Sequence, residues 1–124
     1  MSLPEVTAPA ADGGAFRLAA GAPGTLSAQG ALTFASARRA SELGAATLAH
    51  AAPGKLEIDC QGITASDSAG LAVLLEWLSV AKRAGRSLRY AQLPRGLTAL
   101  ARISEVEELL ERGVKGRPTK LRLA

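Results

Sequence analysis

Apolar and polar residues alternate over Leu56-Glu57-Ile58-Asp59-Cys60, the period of a strand with one covered face. Beyond Ser66-Asp67-Ser68-Ala69-Gly70 the period lengthens, and Leu71 to Ala84 reads as a helix stopped by Gly85. At about 100° per residue, Leu71, Leu74, Leu75 and Leu78 fall on one stripe, while Val73, Trp77, Val80 and Ala84 form a second, roughly opposite. Glu76, Ser79 and Arg83 lie on the flank between them. One stripe must cover the sheet; the other either meets a further element or stays open as a binding surface. At the helix mouth, the small Ser and Asp side chains suit the unpaired first N–H groups.

The same pattern extends along the chain. Phe16-Arg17-Leu18 predicts a short strand, Gly21–Gly24 a turn, and Thr25–Gly30 a second strand paired with the first as a hairpin. Thr33 is a suitable cap for an Ala-rich helix over about 34–50, weakly amphipathic through Phe34, Ala37, Leu43 and Leu48 and broken by Pro53-Gly54. Ser87–Leu93 alternates as a strand, and Pro94 pre-sets a helix over Arg95–Ile103. Ser104 with Glu107 resembles a capping box opening a last helix anchored by Leu109 and Leu110. The order β-β-α-β-α-β-α-α predicts one α/β domain, a mixed sheet of four to five strands with helices mainly on one face.

Composition narrows the class. A chain of 124 residues, 48% apolar with only 3% aromatic, suits one compact domain built on Ala and Leu. The single cysteine, Cys60, excludes an internal disulfide and reads as a buried strand thiol. No apolar run approaches the roughly 18–20 residues that cross a bilayer, so the expectation is a cytoplasmic protein that meets a membrane only indirectly, through a partner. The net charge of +4 is uneven: residues 1–81 carry four Lys/Arg against seven acids, and residues 82–124 carry eleven against four. The boundaries read as a lead-in over 1–13, a domain over 14–112, and a basic tail over 113–124. No aromatic interleaves the tail's charges, as single-strand binding would need, so no nucleic-acid partner is expected.

Catalytic patterns are absent or incomplete. Gly54-Lys55 runs into Leu56, and Ala49 stands where a phosphate loop needs its first glycine. Ser79-Val80-Ala81-Lys82 matches Ser-x-x-Lys but lies late in a helix without companion motifs. His50 is the sole histidine, with no ligand-like spacing to Cys60 and no triad with Ser68. The chain therefore reads as a non-enzyme, with no cofactor and no metal.

Asp67-Ser68-Ala69-Gly70-Leu71, preceded by Leu56–Ile63 and followed by the apolar helix, resembles the signature of STAS domains, the fold of anti-sigma factor antagonists and of sulfate-transporter tails. The helix through Ala84-Gly85 and the stretch Leu93–Ala101 look most like the small cytoplasmic STAS subunit of Mla-type phospholipid ABC transporters (the toluene-tolerance, MlaB type). This resemblance implies an accessory subunit that binds the transporter's ATPase subunit, in a system that maintains outer-membrane lipid asymmetry. It places partner-binding residues at Ser66, Asp67, Ser68, Gly70, Leu71 and Leu97, with Ser68 the candidate phosphorylation site. Ala69 occupies the position that antagonists phosphorylate and has no hydroxyl, which counts against their switch. The alternatives are an anti-sigma factor antagonist that binds a serine kinase, and a domain that itself binds lipid or nucleotide.

Overall fold

The structure is a computed structural model that describes residues 15–50 and 54–116. The lead-in over 1–13 and residues 117–124 of the basic tail lie outside them. Strands β1 (Arg17–Ala20) and β2 (Thr25–Leu32) form the expected antiparallel hairpin. Helix α1 (Ala37–His50) then leads to β3 (Lys55–Ser66), α2 (Ser68–Arg83), β4 (Ser87–Ala91), α3 (Arg95–Ile103) and α4 (Glu107–Arg112). The four strands lie in the order β1-β2-β3-β4, with β2, β3 and β4 mutually parallel. This is the mixed α/β sheet expected from the element order.

Alternation decides which side of the sheet is covered. Ala28, Ile58, Cys60, Leu88 and Tyr90 are buried beneath the helices together with Leu71, Leu74 and Leu78. The Tyr90 hydroxyl, also buried, donates to the Leu74 carbonyl at 2.6 Å and ties α2 to β4. The intervening positions are polar and pair among themselves: Arg17 donates to Gln29 at 2.8 Å and Gln29 to Ser27 at 3.1 Å.

Both stripes of α2 are covered. Trp77 is fully buried, its ring centroid 5.9 Å from that of Phe16. Its indole sits so tightly on α1 that a methyl group added to Gly44 would overlap it. The second stripe therefore packs on α1 and the residue before β1. The flank containing Glu76, Ser79 and Arg83 is exposed, as is Lys82 in the last turn; Glu76 accepts from Ser41 at 2.7 Å and Arg83 donates to Ser79 at 2.8 Å.

Several boundaries differ from expectation. Residues 33–36 are a turn, not the first turn of α1: the Ser36 hydroxyl donates to Ala31 and accepts from the Thr33 N–H, holding the chain short of helix until Ala37. Phe34 is consequently 82% exposed and is no part of an amphipathic stripe. β3 runs six residues past Cys60, since β2 continues beside it to Leu32↔Ser66 across two register shifts. Ser104 caps the end of α3, and no capping box forms with Glu107, whose carboxylate is engaged by Arg102 at 3.1 Å. After α4, Val114 pairs with Leu88 through two 2.9 Å backbone hydrogen bonds, so residues 113–116 lie along the outer edge of β4.

Candidate functional site

Because β2, β3 and β4 run parallel, the helices that follow them all begin at one end of the sheet. There the turn before α1, the mouth of α2 and the mouth of α3 converge. Asp67 joins the first two. Extended at φ −146°, it caps α2 by accepting the Gly70 N–H at 3.1 Å on one carboxylate oxygen. The other oxygen accepts the Phe34 N–H, 33 residues earlier, at 3.0 Å. The Phe34 hydrogen bond, followed by that of Gly70, holds the Asp67 carboxyl below the ordinary carboxylate range. Gly70 permits this closeness, because any side chain there would strike the Leu32 carbonyl at the end of β2.

The motif residues divide by exposure. Ser68, the first residue of α2, is exposed, while Ser66 and Asp67 are half-buried. A Cβ at Gly96 would lie 3.7 Å from the Ser66 hydroxyl, which places the mouth of α3 beside β3's last residue. Gly70, Leu71 at 4% exposure and Leu97 at 0% are buried. Their side chains belong to the core and hold the surface from beneath.

Two surface residues escaped the sequence reading. Phe34 projects from the turn that Asp67 clamps, and Ile103, at the end of α3, is 79% exposed. The signal for Ile103 lay in the helical period. Leu97, Leu100 and Ala101 form the inward stripe of α3, leaving Ile103 on the outward one with Gly96 and Ala99. Arg95 and Arg102 run alongside, and a shallow hollow of about 540 Å³ is lined by Arg95, Gly96, Thr98, Ala99 and Arg102.

The exposed side chains at this end are a hydroxyl (Ser68), guanidinium groups (Arg95, Arg102) and apolar groups (Phe34, Ile103). Among the described residues no group of three or more His, Cys, Asp or Glu is placed to hold a metal ion. Cys60 is buried in β3, its thiol pushed up to about 12 by burial and, secondarily, by Asp59. It offers no nucleophile at neutral pH. No described helix is long and apolar enough to cross a membrane.

The comparisons agree with this architecture. A structure of the anti-sigma factor antagonist SpoIIAA in its unphosphorylated form is similar in fold, with a TM-score of 0.58 over 76% of this chain and 84% of that one at 15% identity. No curated protein matches the chain. The family model described as "Mlab, STAS domain" matches residues 17–111, from the first strand to the last helix. With Asp67-Ser68-Ala69-Gly70 at the mouth of α2 and the four-stranded mixed sheet behind it, the chain belongs to the STAS-domain family, in its MlaB-type branch.

Proposed function

We propose that the chain is a non-enzymatic accessory subunit that docks on the ATPase subunit of a phospholipid-trafficking ABC transporter, one that maintains outer-membrane lipid asymmetry. The docking face is the convergence of helix mouths at Ser66, Asp67 and Ser68, with Gly70, Leu71 and Leu97 supporting it from the core. The observation that carries this reading is the Asp67 clamp. It fixes two separate elements against each other, the turn that carries exposed Phe34 and the mouth of α2 that carries exposed Ser68, while α3, whose outward stripe ends in Ile103, begins beside Ser66. Large apolar side chains exposed around a rigid polar centre make an interface with anchors and a rim. The protein is then cytoplasmic and peripheral to the inner membrane through its complex.

Co-purification with the ATPase subunit tests this. Ser68→Glu and Ile103→Glu alter exposed side chains, so both variants fold, and each should abolish the complex. A folded Ser68→Glu protein that still co-purifies fully refutes the assignment. Leu71→Asp is not a usable probe, because it buries a carboxylate in the core.

The likeness to SpoIIAA favours a second reading, an anti-sigma factor antagonist that binds a serine kinase. Ala69 lacks the hydroxyl which that reading needs, leaving Ser68 as the phosphate acceptor. Stoichiometric labelling of Ser68 by a kinase of that type would support it, and a Ser68→Ala protein labelled equally well would end it.

A further inference from the structure

The charges around the helix mouths are set against the helices that carry them. The start of a helix favours acids and its end favours cations. The last turns comply: Lys82 and Arg83 close α2, Arg102 closes α3 and Arg112 closes α4. The first turns do not. Those of α1, α2 and α3 hold no acid, and α1 begins Ala37-Arg38-Arg39 and α3 with Arg95. All three arginines are exposed. Among the described residues Arg39 and Arg95 form no ion pair, and Arg38 meets only the exposed Glu42, at 3.8 Å. The carboxylate of Asp67 cannot answer them, since its two oxygens already serve the Gly70 and Phe34 N–H groups. In the isolated chain this placement works against stability. It becomes favourable when an anionic surface lies against it.

The neighbouring apolar groups decide the kind of surface. Phe34 is 82% exposed in the turn before α1, Arg95 borders the hollow over Gly96 and Ala99, and Ile103 is 79% exposed on the same outward stripe of α3. Arginine among aromatic and aliphatic anchors is the composition of a protein interface. Its guanidinium fork matches a carboxylate with two parallel hydrogen bonds. Phe34 is the one exposed aromatic among the described residues, too few to stack successive bases. We infer that this face receives an acidic surface of its protein partner, with Asp or Glu side chains against Arg38, Arg39 and Arg95. The inference rests on the docking reading above and adds what the partner must bring to it.

Association kinetics of the full chain with the ATPase subunit test it. Raising salt from about 0.05 to 0.5 M should slow association by about tenfold or more. Arg39→Glu with Arg95→Glu should slow it by about tenfold or more at fixed salt. Lys55→Glu with Lys82→Glu makes the same change in net charge on exposed residues at the far end of the sheet, beyond the screening length of about 8 Å, and should stay within about twofold of wild type. The Arg39/Arg95 variant should keep or raise the urea midpoint, because acids suit first turns, so its loss of binding is not a loss of fold. In the Arg95→Lys complex a carbodiimide should join the new amine to an Asp or Glu of the partner. A rate indifferent to salt, equal slowing in the two double variants, or tighter binding to single-stranded DNA or to anionic vesicles than to the ATPase subunit would overturn the acidic occupant. Should Ser68→Glu abolish the complex while Arg39→Glu with Arg95→Glu does not slow it, the docking reading stands and this inference falls. A wild-type chain that does not bind the ATPase subunit ends both.

Discussion

Asp67 can be tested as a clamp because Asn and Asp are nearly equivalent helix caps. Were its role only to cap α2, Asp67→Asn would leave stability unchanged. In the structure the two carboxylate oxygens serve different segments, Gly70 at 3.1 Å and Phe34 at 3.0 Å. An Asn side chain has one acceptor oxygen, and its amide group would meet the second N–H donor to donor. Capping is worth about 1 kcal/mol. The Phe34 bond accepts onto a charged group but lies near solvent, which puts it at about 1 kcal/mol as well. Asp67→Ala should thus cost about 2 kcal/mol and Asp67→Asn about 1 kcal/mol, the latter lowering Tm by roughly 4–8 °C for a domain of this size.

Urea titration of the three proteins, with unchanged m-values, reads these differences directly. The pH dependence follows from the lowered carboxyl, whose ordinary value is 3.8. The folded state binds this proton less readily than the unfolded chain, so the stabilisation is fully present above about pH 4 and is lost as pH falls through the folded value. The gap between wild type and Asp67→Asn should be constant from pH 8 to 5 and close below 4. An Asn variant within about 0.3 kcal/mol of wild type, or a gap that persists in acid, would refute the clamp.

Two further outcomes test the core behind the site. Gly44→Ala, which in an exposed helix would stabilise by about 1 kcal/mol, should here destabilise by about 1–2 kcal/mol, since the methyl overlaps Trp77; a rise in urea midpoint would show that α1 does not approach so closely. The Cys60 thiol, pushed up to about 12, should be inert to a disulfide reagent at pH 8 in the native protein and should react with one equivalent in urea, and rapid native labelling would contradict its burial.

The legible parts of the fold were those with local causes. α3 spans Arg95–Ile103 as expected because Pro94 supplies an extended residue and the inward Leu97–Leu100–Ala101 stripe sets its period. The hairpin and β3's start were equally plain from alternation and glycine. What failed locally was decided by distant partners. Ser104 and Glu107 have the spacing of a capping box, but Arg102 and the end of α3 engage them first. Thr33 looked like a cap until the Ser36 hydroxyl bonded back to Ala31.

At the site, the sequence by itself determined the strand–turn–helix unit and the small Ser and Asp side chains that cap the helix mouth. These follow from dihedral preference and unpaired N–H groups within a few residues. Only the tertiary structure decided that both stripes of α2 are covered, because Gly44 lets α1 close on Trp77. It also decided that Asp67 reaches Phe34, that Leu71 and Leu97 are core, and that residues 113–116 bring Lys115 to the end of α2. Periodicity reports which side of an element is apolar. What covers that side, and which remote charges share a surface, depends on packing between segments far apart in the chain.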